Sequence, residues 1–143
     1  MSENSEEKKK DPFVIERVEF KKIPRPKSVT LCMIVKNETH IIKECLASML
    51  PYIDRYDITD TGSTDGTPEL IKKFMDEHGV PGEVYLSDWK GFGNVSGEMG
   101  SRTEALRNCD EKADYAWMID ADDYISGNFE FPEVMEMDSY SLR

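Results

Sequence analysis

The chain has 143 residues, 18 Lys and Arg against 29 Asp and Glu, and a formal net charge of -11. That length fits one domain, which buries ~68–70% of its unfolded surface and needs no disulfide or metal staple to fold. The acidity excludes a general nucleic-acid binder and a basic membrane-docking surface, both of which need clustered Lys and Arg.

The acid is unevenly spread. Residues 1–27 carry eight basic and six acidic side chains, net +2, whereas residues 110–143 carry two and ten, net -8. The acidic end is therefore where metal chemistry is sought first. No window approaches ~18 consecutive apolar residues, so no transmembrane segment is expected. The opening MSENSEEKKK lacks the apolar core of a signal peptide. Cys32, Cys45 and Cys109 are odd in number and widely spaced, and two lie in apolar patterns. They read as buried, reduced thiols of a cytoplasmic protein rather than as a disulfide or zinc set.

In chain order, residues 1–27 read as a disordered tail and a strap. Residues 1–11 are too polar to offset their ordering entropy. Phe13–Ile15 and Val18–Phe20 are short apolar groups, and Pro24 and Pro26 then impose an extended linker. Residues 28–143 read as one folded domain. Val29–Val35 is a nearly continuous apolar run, as in a strand buried on both faces. Ile41, Ile42, Cys45, Leu46, Met49 and Leu50 make a helical stripe, capped by Asn37 or Thr39 and stopped by Pro51. Tyr56–Thr59 is a second strand. Leu70, Ile71, Phe74 and Met75 mark a second helix, opened by Thr67 as cap with Pro68 next, and closed by Gly79 with Pro81 beyond. Glu83–Leu86 is a third strand, and residues 91–100, with four glycines, a flexible loop. Ser101 and Glu104 have capping-box spacing for a third helix that uses Ala105, Leu106 and Cys109. Tyr115–Ile119 is a fourth strand, residues 128–137 carry no clear period, and Ser139–Leu142 opens a fifth strand.

Strands alternating with helices predict an α/β fold: a Rossmann-like, mostly parallel sheet with helices on both faces. Ligands of such sheets bind outside the carboxyl ends of the strands. Four segments follow strands and are the candidates: 36–38, 60–67, 87–89 and 120–123. In Asp120-Ala121-Asp122-Asp123, residues at i and i+2 of an extended segment share a face. Asp120 and Asp122 then converge as a hard oxygen site suited to Mg²⁺ or Mn²⁺ rather than zinc. The competing reading is an acidic turn. An EF-hand is excluded, because Tyr124, Ile125 and Phe131 stand where its ligands and turn glycine belong. Asp60 through Thr67 (DTGSTDGT) joins a strand to a helix. Either Asp60 accepts hydrogen bonds from a base, or the loop's Asp, Ser and Thr only make turns and caps. Asn37 and Glu38 are likewise either a nucleotide edge or a helix cap with a first-turn acid. Trp89 and Phe92 flank the glycine loop, and neither His40 nor His78 has a role assigned.

The order LCMIVKNE, ECLAS, DTGSTDGT and DADD, over residues 28–125, resembles the family 2 glycosyltransferases. The resemblance implies the GT-A fold, a nucleotide-sugar donor (a UDP-sugar), a divalent metal and an acceptor hydroxyl on a glycan, protein or lipid. It places Val35 and Glu38 on the nucleotide, Asp60 on the base, and Asp120 on ribose and metal. Asp122 becomes the direct metal ligand, and Arg102, at the start of the third helix, faces the donor. Phe92 and Arg102 enclose a longer loop than that pattern has. The family's catalytic base falls well downstream of the acidic motif, and no residue here matches it, so the catalytic residue is unknown. The chain then reads as the donor-binding portion of a truncated GT-A domain. The alternative is a non-catalytic nucleotide-sugar-binding or interaction module.

Overall fold

The computed structural model describes residues 19–91 and 100–141. Phe13–Ile15, Val18, Phe92 and Leu142 lie outside them, as does most of the glycine loop. The elements run β1 (Val29–Val35), α1 (Ile42–Met49), β2 (Arg55–Asp60), α2 (Thr67–Glu77), β3 (Gly82–Leu86), α3 (Ser101–Asn108) and β4 (Tyr115–Met118), with a 3₁₀ turn over Leu50–Tyr52. The strands order β3-β2-β1-β4, and all neighbours pair in parallel. This is the predicted Rossmann-like α/β sheet. No strand forms over Ser139–Tyr140, so the fifth strand is absent from the described residues.

The alternation of β1 sorts the two helical layers. Val29, Leu31, Met33 and Val35 face α1 and α2 in one core with Ile42, Leu46, Met49, Leu70, Ile71, Phe74 and Met75. Thr30, Cys32 and Ile34 point to the other face, where Cys32 and Ile34 pack with Ala105 of α3, with Cys109 just after it and with Met118 of β4. Helices therefore cover both faces, but unequally. The first face is apolar, whereas the second holds polar side chains. There Asp57, fully buried, accepts from Thr30 Oγ1 at 2.7 Å, from Arg55 at 2.8 Å and from the Tyr85 hydroxyl at 2.9 Å. β3 meets β2 so closely at Gly82 that a Cβ there would lie 2.0 Å from the Tyr56 carbonyl oxygen.

Three predicted caps form differently. The α1 N-cap is Ile41, and the Glu38 carbonyl accepts from the Ile41 and Ile42 amides. Asn37 and Thr39 instead bond across to the next loop. α2 begins at Thr67 after Gly66, whose φ of 89° suits glycine. The capping box of α3 does not form. Ser101 is already helical, its hydroxyl accepts from the Lys90 amide, and Glu104 pairs with the Lys90 ammonium. In each case the capping side chain found a longer-range partner.

The strap over residues 19–27 crosses the amino ends of the strands. Ile23 N–H donates to the Pro51 carbonyl, and Lys22 and Arg25 both pair with Asp54, at 3.1 and 2.8 Å. Burial alone would raise the Asp54 carboxyl. The Val29 amide and the two cations outweigh it and hold Asp54 below its usual value of 3.8. A depressed folded-state value gives stability that is present above pH 3.8 and lost as pH falls through the lower one. Asp54→Asn is expected to flatten the acid limb of a circular-dichroism unfolding curve below that pH. An unchanged limb would refute the strap's part in acid stability. Among the described residues no helix is long and apolar enough to cross a membrane.

Candidate functional site

The carboxyl ends of β1, β2 and β3 are level. Val35 pairs with Asp60, and Asp60 with Leu86. β1 and β2 then release two loops that are clasped together. Asn37 N–H donates to Ser63 Oγ at 2.8 Å, and Thr64 N–H returns a bond to Asn37 Oδ1 at 2.8 Å. Glu38 N–H donates to Thr67 Oγ1 at 2.9 Å. Asn37 adopts φ 54°, a left-handed conformation that a short polar side chain tolerates.

Asp60 is 2% exposed and shapes its own loop. Its Oδ1 accepts the Gly62 and Ser63 amides at 2.9 and 2.8 Å, and its Oδ2 accepts the Ser63 hydroxyl at 2.5 Å. This is the turn-forming alternative read from the sequence. Asp65 joins the loops: its Oδ1 accepts from Thr67 N and Oγ1, and its Oδ2 from Thr39 N and Oγ1. Burial opposes ionisation of Asp65, yet these bonds hold its carboxyl below the ordinary value. Asp65→Ala leaves the first amide of α2 and both threonine hydroxyls without this acceptor. Its expected cost is about 1–2 kcal/mol, read as a lower urea midpoint. No loss would mean that the loops are held otherwise.

The third component follows β4. Asp123 N–H donates to the Asp120 carbonyl, closing a tight turn. Ile125 N–H donates to Ser48 Oγ at 3.0 Å, and Cys45 Sγ lies 3.6 Å from the Asp120 carbonyl, so the turn is fastened to α1. Carboxylate oxygens of Asp120, Asp122 and Asp123 lie within 4.8 Å of one another, and all three residues are exposed. The sequence argument paired Asp120 with Asp122 by strand alternation. Asp123 joins them because the chain turns there instead of staying extended.

These carboxylates fit a hard divalent cation. The nearby sulfur does not compete. Burial, with Asp123, Asp122 and Asp120 adding, pushes the Cys45 thiol up to about 12, and three carboxylates favour hard cations over sulfur-seeking ones. Glu38 senses the same turn: burial raises its carboxyl, Asp122 and Asp65 push the same way, and His40 opposes them. Val35, Glu38, Asp60, Asp120 and Asp122 thus gather at one end of the sheet. Arg102 is exposed in the first turn of α3, and its charge acts on Cys32. No hydrogen bond or ion pair among the described residues joins Arg102 to the acidic turn.

A parallel α/β sheet with clasped loops and an acidic turn at its carboxyl edge defines a Rossmann-like ligand-binding domain. The chain belongs to glycosyl transferase family 2: residues 30–138 match that family. The fold is accordingly of the GT-A type. The chain is also similar to a TPR repeat-containing protein of Synechococcus elongatus, with 45% identity over 42 residues. That match covers 29% of this chain and 10% of the relative, so the chain spans a small part of that protein.

Proposed function

We propose that this domain binds a nucleotide-sugar donor, a UDP-sugar, together with Mn²⁺ or Mg²⁺, for transfer of the sugar to an acceptor hydroxyl. The observation that carries this reading is the convergence of Asp120, Asp122 and Asp123 at the carboxyl edge of the sheet, beside Glu38. Asp122 and Asp120 hold the cation, and Asp120 also faces the ribose. Val35 and Glu38 border the nucleotide. Asp60 keeps its loop in shape and retains a lone pair for a base N–H. Arg102 attracts the donor's charge from α3. A bound divalent cation offsets the charge that gathers on a departing diphosphate. Three buried free thiols fit a reducing cytoplasmic compartment.

Calorimetric titration of UDP-glucose with Mn²⁺ and then with EDTA tests this. Saturable binding with Mn²⁺ that EDTA removes is expected. Equal binding in both would refute a metal-held donor.

A second reading, a donor-binding module without its own catalysis, is favoured by one observation. Glu133, Glu136 and Asp138 line a cavity of about 720 Å³ with Pro26, Lys27 and Asp114. Lys27 and Asp114 precede β1 and β4, so these downstream acids stand at the opposite end of the sheet from Asp122. None of them is placed to deprotonate an acceptor there. UDP release by this polypeptide with an acceptor present would exclude the module reading.

A further inference from the structure

The three cysteines are all buried and free, but they are not equivalent. Cys45 sits on α1, on the face opposite α3, with its sulfur toward the Asp120 carbonyl. Cys32, in β1, and Cys109, the C-cap of α3, occupy one small cluster on the other face with Ala105 as their buried apolar companion. The Cys109 sulfur lies 3.3 Å from the Ala105 carbonyl and 3.8 Å from the carbonyl of Asp57, the residue paired with Cys32 across the β1–β2 ladder. They are the two thiols of that cluster, and each acts on the other's ionisation. Small residues at 105 and 109 let α3 lie close to the sheet, which brings the two thiols into one cluster.

We propose that Cys32 and Cys109 form a reversible disulfide that pins the C-terminal end of α3 to β1 when a hydroperoxide is present. Cys109 beside it holds the Cys32 thiol below its ordinary value, against burial and Asp57, with Arg102 helping. Cys32, then burial, raises the Cys109 thiol. Cys32 is thus the nucleophile and Cys109 the resolving thiol. The Cys32 thiolate attacks one oxygen of hydrogen peroxide, the O–O bond breaks, and water leaves once the departing oxygen is protonated. The sulfenic acid on Cys32 is then attacked by the Cys109 sulfur. The S–S bond forms, the S–O bond breaks and a second water leaves with the Cys109 proton. Two thiols give up two electrons and the peroxide takes them. A dithiol reductant reverses the bond by exchange. Access comes from local opening of α3, which is eight residues long and buries only Ser101 and Ala105. The outcome is an α3, and with it Arg102 and the Glu104 partner of Lys90, held more tightly to the sheet.

The test treats the whole chain with hydrogen peroxide. Thiols are then counted in denaturant, and intact mass, a non-reduced peptide map and amide exchange are measured. The expected result is a fall from three free thiols to one, a mass lower by two hydrogens, a linked peptide pair containing Cys32 and Cys109, and slower exchange in α3. Dithiothreitol restores all four readouts. Cys45→Ser leaves the linkage intact, and Cys109→Ser replaces it with oxygen added at Cys32. A link through Cys45, a cross-linked dimer, oxygen addition with no loss of hydrogen in the unmutated chain, or unchanged exchange in α3 would overturn the proposal.

Discussion

Asp122→Asn is expected to weaken Mn²⁺-supported binding of a UDP-sugar roughly 100-fold while leaving the fold intact, because the proposed cation seat on this exposed turn loses one of its few charges. The physical argument has two opposite signs. Without a cation, three carboxylates whose oxygens lie within 4.8 Å repel one another, so removing one charge relieves the turn. With a cation, the same charge is part of its seat. Wild type and variant therefore diverge in opposite directions: in EDTA the variant melts slightly higher, and in Mn²⁺ only the wild type gains. At ~100 times the dissociation constant that gain is about 2.7 kcal/mol. Thermal unfolding of both proteins in EDTA and in a Mn²⁺ series reads it directly. Equal Mn²⁺-induced shifts in the two proteins would move the cation elsewhere. Asp123→Asn, by the same argument, loses part of the gain, because the turn brings Asp123 beside the other two carboxylates.

Much of this site was legible in the sequence, for identifiable reasons. Val29–Val35 is apolar at every position but Thr30, and such a run has one stable location, a central strand with cover on both faces. Pro51, Pro68, Gly79 and Pro81 punctuate α1 and α2 locally, so the element order followed from adjacent residues. The acids after β4 were visible because four residues in a row offered three carboxylates. What escaped was set by distant partners. Ser101 and Glu104 have the spacing of a cap, yet Lys90, outside the helix, claims both side chains. Thr39 and Asn37 were candidate caps of their own helix and are bound by Asp65 and Thr64 of the next loop. Asp60 shows the limit most clearly: a carboxylate at a strand end fits a base or its own turn equally well on sequence, and only the three bonds from Gly62 and Ser63 reveal the second use. Residues 139–140 alternate as a strand would but have no sheet neighbour among the described residues.

The largest loss of stability is expected from Asp57→Ala, at about 3 kcal/mol, because it removes a fully buried carboxylate and leaves the half-buried Arg55 and two hydroxyls without their acceptor. Asp57 is fully buried between the sheet and α3, and its two oxygens answer four donors: Thr30 Oγ1, two nitrogens of Arg55, and the Tyr85 hydroxyl. Against a typical total of 5–15 kcal/mol, such a cost removes a large fraction of the stability. The graded variants separate charge from shape. Asp57→Asn keeps an acceptor for the hydroxyls and loses the charge facing Arg55, so it falls between wild type and alanine. Tyr85→Phe removes one donor while Asp57 keeps the others, at a cost of about 1 kcal/mol. Tyr85 also reports on the network. Burial first, and then its bond to Asp57, raise its hydroxyl well above the ordinary tyrosine value, so Asp57→Ala returns it only part of the way in an ultraviolet titration. Urea midpoints ordered alanine, asparagine, then Tyr85→Phe, from least to most stable, are the expected result. An alanine variant within 1 kcal/mol of wild type would mean that the Arg55 guanidinium, 24% exposed, turns to water and needs no counter-ion. The polar face beneath α3 would then contribute little to holding β1, β2 and β3 in the register that brings Val35, Asp60 and Leu86 level.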